Sequence, residues 1–574
     1  MTDLPNHTPL PRRWNVKHII PNDIDTALGD FPPLMRQLLY NRGFNEPVSA
    51  AAFLNGEVAY PTDPFLLTDM EAAVQRLHAA IQKDETIVVY GDYDADGVTA
   101  SALMHEFLVA LGVAPRIYIP NRFDEGYGLN EEAIRQLAAE GADLVITVDC
   151  GARAVREVSL AVELGMDVII TDHHAPGDVL PPAAALINPK QPGDAYPDRY
   201  LAGVGLGYKL TQAYLETYPQ SDVNTADWLD LVAIGTVADL APLQGENRML
   251  VREGLLRLRQ GTRPGLAALA RLAGLNLADC NTGMIGFGLG PRLNAAGRIK
   301  SARAAFELLT TRDYRRAGEL AQKLDSQNSQ RQDETQKIRE LAETRVLAQD
   351  PNALLFFAAD PAFKEGVVGL AASRLSEAYY RPAIIAHQGE EFTVASCRSI
   401  EEFHITRALD ECAHLLVRHG GHAAAAGFTA RNELVPELVQ QLTAIAAREL
   451  TGLILTPVIE IDRRIRLEKL NGRYISMIFN DLHQLEPTGR GNPEPVFASY
   501  NLAVRQARPV GKGNAHLKLT LQTGDAKYDA IAFQQGHWFA EMPDRVDIAY
   551  RFEENKYMGR VSLQLNVKDL RPAV

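Results

Sequence analysis

The sequence predicts a two-lobed α/β protein that ends in a small β-barrel, and three observations support this fold class. Apolar, strand-like runs alternate with helical patterns in the first half of the chain, as in a parallel sheet. A long polar stretch with almost no glycine or proline follows, which is typical of one extended helix. The last segment consists of short alternating strands separated by turns, a pattern that suits a barrel. A chain of 574 residues is long enough to form several domains.

The first strand of the predicted sheet ends in a cluster of carboxylates. An apolar run leads directly into Asp92, Asp94 and Asp96, and Gly97 closes the turn. Three carboxylates this close repel one another unless a cation offsets their charge, and oxygen ligands suit Mg²⁺ or Mn²⁺. A helix–loop–helix calcium loop would need a leading helix and a Glu after the glycine, and this sequence has neither. Taken alone, the cluster fits a catalytic metal site and a structural Asp-rich turn equally well.

Two further predicted strands also end in candidate metal ligands. One ends in Asp149, and the next ends in Asp172, His173 and His174. Helical patterns of suitable length separate these strands, so we expect the three strand ends to meet at one edge of a parallel sheet. Asp239 lies at the end of a later apolar segment, where a buried carboxylate without a partner would be costly. We therefore expect Asp239 to be a further ligand.

Changes in composition along the chain predict the domain boundaries. The stretch after residue 301 lacks a sustained apolar heptad, which favours a single solvated helix over a coiled coil. The predicted domains are an N-terminal helical cap (1–60), the α/β domain with the acidic clusters (61–301), a long connecting helix (302–350), a second α/β domain (351–452) and the barrel domain (453–574).

The composition indicates an intracellular protein. The four cysteines are far apart and lack paired-ligand spacing, which favours a reducing compartment and argues against a zinc site. The first residues show no signal-peptide pattern, and no apolar run approaches membrane-spanning length, so we expect a cytoplasmic protein with no membrane partner. The net charge of −14 argues against tight non-specific binding to duplex DNA. Residues 501–574 nevertheless contain 11 Lys and Arg against 8 Asp and Glu, so this segment is locally basic.

The order of the motifs resembles a known superfamily. The motifs Asp94-x-Asp96, Val148-Asp149, Asp172-His173-His174 and Val237-Ala-Asp239 resemble those of the DHH phosphoesterases, and the match is tighter with the RecJ single-strand-specific exonucleases. The segments that carry this closer similarity are 187–189, 288–298, 364–375, 396–399, 420–428 and 486–497. Thr488 departs from the family pattern, which more often has an aromatic residue there, and we expect no effect on the chemistry.

The resemblance implies a fold, an activity and a set of metal ligands. The fold would be a DHH catalytic domain and a DHH-associated domain joined by a long helix, with a C-terminal OB-fold. The activity would be metal-dependent 5′-to-3′ exonuclease action on single-stranded DNA, releasing mononucleotides in DNA repair and recombination. Two divalent cations, Mn²⁺ or Mg²⁺, would hydrolyse the phosphodiester. Their implied ligands are Asp94, Asp96, Asp149, His173 and Asp239, with Asp149 bridging the two ions.

The resemblance also implies the roles of the other residues near the metals. His174 would face the scissile phosphate and stabilise its developing charge. Asp92 and Asp172 would orient the ligands. Both histidines directly follow a buried-type strand and an aspartate, which disfavours reading them as ordinary surface histidines.

Substrate-binding residues are expected in three places. Gly421 and His422 precede an alanine run that we expect to begin a helix, whose N-terminus would suit a phosphate. Taken alone, the motif fits a tight turn against a packed helix better, and the metal motifs upstream favour the phosphate-binding interpretation. Arginine binds phosphate through a bidentate fork. The candidates for a 5′-phosphate pocket are therefore Arg298, Ser396 and Arg398, with Arg122 as a further strand contact. In the barrel, Lys512, His516 and Lys518 would follow the DNA backbone, and Trp538 fits base stacking and the barrel core about equally.

The sequence therefore predicts a single-strand-specific exonuclease whose partner is the 5′ end of single-stranded DNA. The family resemblance adds a single-stranded-DNA-binding protein and a helicase as partners. One alternative is a DHH phosphodiesterase that acts on short oligonucleotides or cyclic dinucleotides, which the C-terminal barrel disfavours because a small substrate does not need it. Another is a non-catalytic scaffold of the replication-fork type, which the complete set of metal-type residues disfavours.

Overall fold

The computed structural model describes residues 10–122, 125–126, 128–470, 472–557 and 560–573. The chain divides into two compact units. Unit I comprises Ala52–Asp333 together with Glu486–Pro493, and unit II comprises Met1–Ala51, Glu334–Leu485 and Glu494–Val574. None of the helices in the described ranges has both the length and the apolarity needed to cross a membrane.

The N-terminal residues, for which a helical cap was expected, contain a strand as well as helices. Residues 1–9 of the expected cap lie outside the described residues. The elements here are β1 (Arg13–Val16), α1 (Asn22–Ala27), α2 (Pro33–Tyr40) and α3 (Pro47–Asn55). Pro33 opens α2, where its missing N–H costs nothing. β1 pairs in parallel with Val458–Ile461, so these first residues join the C-terminal part of unit II.

Unit I is built on a sheet of five parallel strands, counted over its described residues. The strands are β2 (Ile87–Gly91), β3 (Arg116–Tyr118), β4 (Leu144–Val148), β5 (Asp167–Thr171) and β6 (Ala185–Ile187), in the spatial order β3-β2-β4-β5-β6. β2 and β4 are buried along their whole length, because helices cover both faces of the sheet. β2, β4 and β5 are neighbours, so the residues that follow them meet at one edge, as the sequence predicted.

The helices of unit I cover this sheet or pack on the helices that cover it. They are α4 (Met70–Gln82), α5 (Ala95–Ala110), α6 (Glu131–Ala139), α7 (Val155–Glu163), α8 (Gly203–Thr217), α9 (Leu229–Ala238), α10 (Gly245–Arg259), α11 (Pro264–Leu272), α12 (Thr282–Met284), α13 (Gly290–Ile299) and α14 (Arg303–Thr310). Alternate residues of β2 enter different cores, with Ile87 and Val89 on the side of α5, α8 and α9 and Val88 and Tyr90 on the side of α6 and α7.

A helix of 36 residues, α15 (Tyr314–Gln349), begins in unit I and ends in unit II. The division between the two units falls inside this helix, between Asp333 and Glu334. The long connecting helix expected over 302–350 is therefore present, and α14 precedes it as a separate short helix.

Unit II contains a second α/β layer after α15. Its elements are β7 (Phe356–Asp360), α16 (Glu365–Tyr379), β8 (Ala383–Gln388), β9 (Phe392–Arg398), α17 (Ile405–Glu411), β10 (Arg418–Gly421), β11 (Ala425–Arg431) and α18 (Val435–Leu450). The spatial order is β10-β11-β9-β8-β7, in which β7 and β8 pair in parallel and the other pairs are antiparallel. The expectation of a helix after Gly421 is wrong. The alanine run enters β11, because pairing with β9 and β10 on both sides outweighs alanine's helix propensity.

The C-terminal region forms the expected barrel. Its elements are β12 (Val458–Ile461), β13 (Arg463–Arg464), α19 (Gly472–Gln484), β14 (Phe497–Val510), β15 (His516–Thr523), β16 (Ala526–Ala532), β17 (Arg545–Tyr557) and β18 (Arg560–Pro572). In the part that the structure describes, five strands follow the order β14-β15-β16-β18-β17, and the pairing of β14 with β17 closes the ring. A small closed five-stranded barrel of this kind is the OB-type architecture that the sequence predicted.

Candidate metal centre

The loop after β2 directs the side chains of three aspartates to three different places. Asp94 caps α5, since its Oδ1 accepts hydrogen bonds from Asp96 N at 2.9 Å and Gly97 N at 3.2 Å. Asp96 points to the N-terminus of α8, where its carboxylate accepts bonds from Gly203 N at 2.7 Å and Val204 N at 2.9 Å. Asp92 stays at the strand end and is buried, and its Oδ1 has no hydrogen-bond partner among the described residues. The three aspartates are close in the sequence, but their carboxylates therefore point to different places.

Asp149 adopts an unusual backbone conformation at the end of β4. Its φ is +63°, in the left-handed region that few non-glycine residues adopt, and its side chain is buried. Its main-chain N–H donates to Thr171 O on the neighbouring strand at 2.9 Å, which fixes the turn. Backbone strain held by surrounding structure is common at functional sites. The turn brings the Asp149 carboxylate back over the sheet edge, where His173 Nε2 lies 3.1 Å from Asp149 Oδ1.

Asp172 fixes the orientation of the His174 ring through hydrogen bonds. Its Oδ1 accepts hydrogen bonds from His174 Nδ1 at 2.8 Å and from His174 N at 3.0 Å, and its Oδ2 accepts from Ala152 N at 2.7 Å. Burial alone would raise the pKa of Asp172, but these bonds and the charge of His174 lower it below its ordinary value. Burial would lower the pKa of His174, and the bond and charge of Asp172 raise it instead. His174 is thus oriented by Asp172 while its side chain stays 46% exposed.

Asp239 and His173 complete a cluster of oxygen and nitrogen ligands. Three groups have ligand atoms that all lie within 4.8 Å of one another, and they share members: Asp92, Asp94 and Asp149; Asp96, His173 and Asp239; Asp149, His173 and His174. Asp239 follows directly after α9, as its C-cap, and its Oδ2 lies 3.9 Å from His173 Nε2. All five predicted metal ligands therefore meet in one place. The structure also places Asp92 within reach of an ion, where the sequence suggested only an orienting role.

The electrostatics of the cluster fit divalent cations. Burial, followed by repulsion from neighbouring carboxylates, raises the pKa of Asp92, Asp96 and Asp149 well above the ordinary value. The same two causes raise the pKa of Asp239 to about 7. Burial, followed by the charge of His174, lowers the pKa of His173 to about 3, so His173 is a neutral imidazole suited to ligation. An acidic, oxygen-rich set with neutral nitrogen is what Mn²⁺ and Mg²⁺ sites contain, and bound cations would relieve the repulsion.

Glycines pack directly against these carboxylates, and the sequence reasoning missed them. A Cβ on Gly203 would lie 2.5 Å from Asp149 Oδ1, and one on Gly235 would lie 2.7 Å from Asp96 Oδ1. A Cβ on Gly97 would lie 2.6 Å from the carbonyl oxygen of Asp92. Glycine inside a helix costs about 1 kcal/mol relative to alanine, so glycines in helical segments were the available signal.

Helix α13 supports the loop that carries the aspartates and brings an arginine to it. Asn294 Oδ1 accepts a bond from Ala95 N at 2.7 Å, and a Cβ on Gly297 would lie 2.6 Å from Tyr93 O. Arg298, on the same helix, is half-buried, and burial followed by the charge of Arg122 lowers its pKa to about 10. Arg122 lies over the Tyr93 ring, 5.2 Å from its centroid. Two predicted substrate-binding arginines therefore lie beside the first acidic loop.

The other predicted substrate-binding residues lie together in unit II. Ser396 and Arg398 are on β9, and both approach Gly369 of α16, where a Cβ would lie 3.3 Å from Ser396 Oγ and 3.1 Å from Arg398 Nη2. Arg398 Nε donates to Ser373 Oγ at 3.0 Å, and burial lowers the pKa of Arg398.

The glycine motif of β10 lies in the same sheet. Gly421 has a φ of +148°, and a Cβ there would lie 2.4 Å from Ala425 O. His422 N donates to that same oxygen at 2.7 Å, and the His422 side chain is exposed. Ala425 is the register partner of Arg398 across β9 and β11, so a tight hairpin turn, rather than a helix N-terminus, places these residues.

Three stretches of the chain match models of known protein families. The DHH family, N-terminal domain, matches residues 86–236, the DHHA1 domain matches 352–448 and the RecJ OB domain matches 461–569. The single-stranded-DNA-specific exonuclease RecJ of Bacillus subtilis (strain 168) is 40% identical over 541 residues, which cover 94% of this chain and 68% of that protein. RecJ of Escherichia coli (strain K12) is 34% identical, over 95% of this chain and 96% of that protein.

A solved structure agrees over nearly the whole length. The crystal structure of RecJ in complex with Mn²⁺ from Thermus thermophilus superimposes with a TM-score of 0.83 at 31% identity, covering 98% of this chain and 80% of that one. Matches of this extent and identity, over the domains that carry the acidic cluster, the second α/β layer and the barrel, establish the relationship. The chain belongs to the RecJ family of the DHH phosphoesterase superfamily.

Proposed function

We propose that this protein is a single-stranded-DNA-specific exonuclease that works from the 5′ end, releases mononucleotides and requires two divalent cations, Mn²⁺ or Mg²⁺. The observation that carries the proposal is the set of three ligand groups that overlap through Asp149 and His173. Overlapping groups can hold two ions side by side, as two-metal phosphodiester hydrolysis requires. The relatives named as exonucleases match this chain over nearly its whole length, which supports a role in DNA repair and recombination.

The residues divide the chemical work. Asp94, Asp96, Asp149, His173 and Asp239 would hold the two ions, and Asp92 is close enough to contribute. When bound, divalent cations activate water and offset the negative charge of the phosphate. Asp149 belongs to two of the groups, so its carboxylate would be able to serve both ions, as the family resemblance implies. His173 is neutral at physiological pH and can ligate without first losing a proton.

His174 is the residue placed to act on the phosphate. Its Nδ1 donates to Asp172, so Nε2 is the ring nitrogen that would contact the substrate. The raised pKa of His174 favours the protonated ring, which would donate a hydrogen bond to a phosphate oxygen as negative charge develops there. Asp172 then acts as a positioning residue, because it fixes both the ring orientation and the proton on Nδ1.

Arginine and serine side chains would bind the strand. Arg122 and Arg298 lie beside the first acidic loop, where they would contact phosphates near the ions. Ser396, Arg398, Gly421 and His422 form the second set, which we assign to the 5′-terminal phosphate because it combines a guanidinium, a hydroxyl and main-chain groups exposed by a glycine turn.

The direct test compares four substrates with Mn²⁺, with Mg²⁺ and with EDTA. Single strands blocked at the 5′ end, single strands blocked at the 3′ end, duplex DNA and a dinucleotide would be incubated with the protein and the products resolved by length. We expect mononucleotides from the 3′-blocked strand alone among the long substrates, and no cleavage in EDTA. Cleavage confined to the dinucleotide would overturn the proposal in favour of a short-substrate phosphodiesterase.

Protein partners and location are further parts of the proposal. On the family resemblance, a single-stranded-DNA-binding protein and a helicase would present the strand to this enzyme, and pull-down with each purified protein tests this. A cytoplasmic location stays a prediction from the sequence and is tested by cell fractionation.

A further inference from the structure

The segment Glu486–Pro493 has a place in the fold that the chemistry above does not explain. It folds with unit I, although the residues on either side, Leu485 and Glu494, belong to unit II. It contributes no residue to the ligand groups found among the described residues. The contacts that this segment makes within unit I explain why it folds there and not with its neighbours in the sequence.

A buried arginine fixes this segment in place. Arg248 is 2% exposed, and it donates from Nη1 to Pro487 O at 3.0 Å and from Nη2 to Glu486 O at 2.9 Å. Leu243 N, Gln244 Nε2 and Thr282 Oγ1 donate in turn to the carbonyls of Arg490 at 2.7 Å, Gly491 at 2.8 Å and Thr488 at 2.6 Å. The backbone of the segment is thus bound at five carbonyls, which makes it a rigid support.

This support places Arg490 at the edge of the metal cluster. The Arg490 side chain is exposed, and its Nη1 donates to Leu240 O at 3.2 Å. Leu240 follows the ligand Asp239, has a φ of +60° and leaves its apolar side chain 62% exposed. A positive φ at a leucine is strained, and strain of this kind next to a predicted metal ligand points to a functional use.

A second cation lies on the same side of the cluster. Lys190 Nζ donates to the carbonyl oxygen of His173, so its charge is held close to the ligands. Lys190 and Arg490 thus each donate to a main-chain carbonyl at or next to a predicted ligand, that of His173 and that of Leu240, which follows Asp239. Arg122 and Arg298, by contrast, act on the loop that carries Asp94. Basic side chains therefore lie near two different residues of the acidic cluster, Asp94 and Asp239.

We propose that Arg490 is a substrate-binding residue that contacts a phosphodiester of the DNA strand beside Asp239, with Lys190 adding positive potential and Leu240 offering an apolar contact to the sugar or base. A guanidinium has five N–H donors, so a bond to Leu240 O leaves donors for phosphate oxygens. The inference rests on the proposed function, because it names a further contact to the same strand. The cations near Asp94 and those near Asp239 would hold consecutive parts of the strand across the ions.

The test compares Arg490→Gln and Arg490→Lys with the wild-type protein on a long single strand. We expect Arg490→Gln to raise the apparent KM by about ten-fold, the effect of losing one charge-assisted hydrogen bond. Its salt dependence should also be shallower, by about 0.7 in the slope of log affinity against log salt. Arg490→Lys should keep the wild-type slope with a smaller rise in KM. In both variants kcat and the Mn²⁺ concentration for half-maximal rate should stay at wild-type values.

Two outcomes would overturn the inference. One is an unchanged KM and salt slope in Arg490→Gln. The other is a changed Mn²⁺ requirement with an unchanged KM, which would show that Arg490 only supports the backbone around Asp239. Arg271→Gln, on the exposed side of α11, is the matched control and should behave as wild type. Turnover by the wild-type protein in the same assay tests the proposed function separately.

Discussion

Replacing Gly203 with alanine should damage the metal centre without touching a ligand. The added Cβ would lie 2.5 Å from Asp149 Oδ1 and 2.6 Å from Asp149 Cβ, whereas ordinary contacts begin at 3.4 Å. Either the Asp149 carboxylate or the start of α8 must therefore move by about 0.9 Å. Movement of α8 would pull Gly203 N and Val204 N away from Asp96, so both responses displace a ligand.

The magnitude follows from this displacement. A misplacement of about 1 Å at a reacting group costs on the order of 100-fold in rate. Forcing an extra methyl group into a packed site costs about 1–3 kcal/mol of stability. We therefore expect Gly203→Ala to lose roughly two orders of magnitude in kcat on single-stranded DNA and to need more Mn²⁺ for half-maximal rate. Turnover, Mn²⁺ binding by calorimetry and thermal melting would measure the three effects.

Gly207→Ala is the matched control, one turn further along α8. A Cβ there would meet no atom within 4 Å in the described part of the chain, so the change should be neutral or stabilise by up to about 1 kcal/mol through helix propensity. If Gly203→Ala kept wild-type turnover and Mn²⁺ affinity, the packing argument would be refuted. If both variants lost activity equally, the effect would belong to α8 in general and not to the contact with Asp149.

Three further predictions concern the bridge, the phosphate pocket and the barrel. Asp149→Asn should abolish turnover and weaken Mn²⁺ binding, and asparagine tolerates the left-handed backbone at this position. The melting temperature of the metal-free protein should not fall, because the substitution removes a repelling charge. Normal turnover at saturating Mn²⁺ would disprove the two-metal assignment. Arg398→Gln should cost about 2–3 kcal/mol of binding, and more for 5′-phosphorylated than for 5′-hydroxyl strands, whereas Arg298→Gln should weaken the binding of both strands equally; equal losses on both strands in Arg398→Gln would restrict Arg398 to tracking the backbone. Lys512→Gln combined with Lys518→Gln should raise the KM for long strands and flatten its salt dependence while dinucleotide cleavage is unchanged; an unaffected KM would assign the barrel another role.

The last of these tests uses substitutions because removal of the barrel would not be clean. A chain cut before β12 would also lose Glu486–Pro493, which folds with unit I. Arg248 would then keep its charge in a buried position without the carbonyls of Glu486 and Pro487, and a buried charge that loses its partners destabilises strongly. Loss of activity in such a truncation would report damage to unit I rather than loss of strand binding.

The residues that meet in the acidic cluster could be predicted from the sequence because their signal is local. A strand-like apolar run followed at once by carboxylates is visible within about ten residues, and strand–helix alternation implies that such strand ends meet. The position of Asp239 followed the same logic, since a carboxylate at the end of the apolar segment that forms α9 needs a partner. Asp92 and His174 also belong to ligand groups, although the sequence analysis gave them other roles, because their positions depend on how the loops turn after the strands.

Features set by distant partners could not be predicted in the same way. β1 is a strand because Val458–Ile461 pairs with it, and nothing in the four residues Arg13–Val16 announces that partner. The alanine run after Gly421 favours a helix by propensity, and its pairing with Arg398 and neighbouring residues of β9 decides for a strand. In both cases the deciding contact lies outside any local window, so composition and periodicity point to the wrong element or to none.

The residues that hold the predicted ligands in place were also not predicted from the sequence, for a different reason. Gly203 and Gly235 act by lacking a side chain, and Asn294 acts through one bond to a backbone N–H. A glycine in a helix costs only about 1 kcal/mol, which is a much weaker signal than a cluster of carboxylates. The effect of these residues is nevertheless set by the same geometry, because the carboxylates of Asp149 and Asp96 are closed in by neighbours that leave no room for a methyl group. Ligand position at this site is therefore a property of packing as much as of the acidic motifs, and this is why Gly203→Ala is expected to act as a catalytic mutation although Gly203 carries no chemistry.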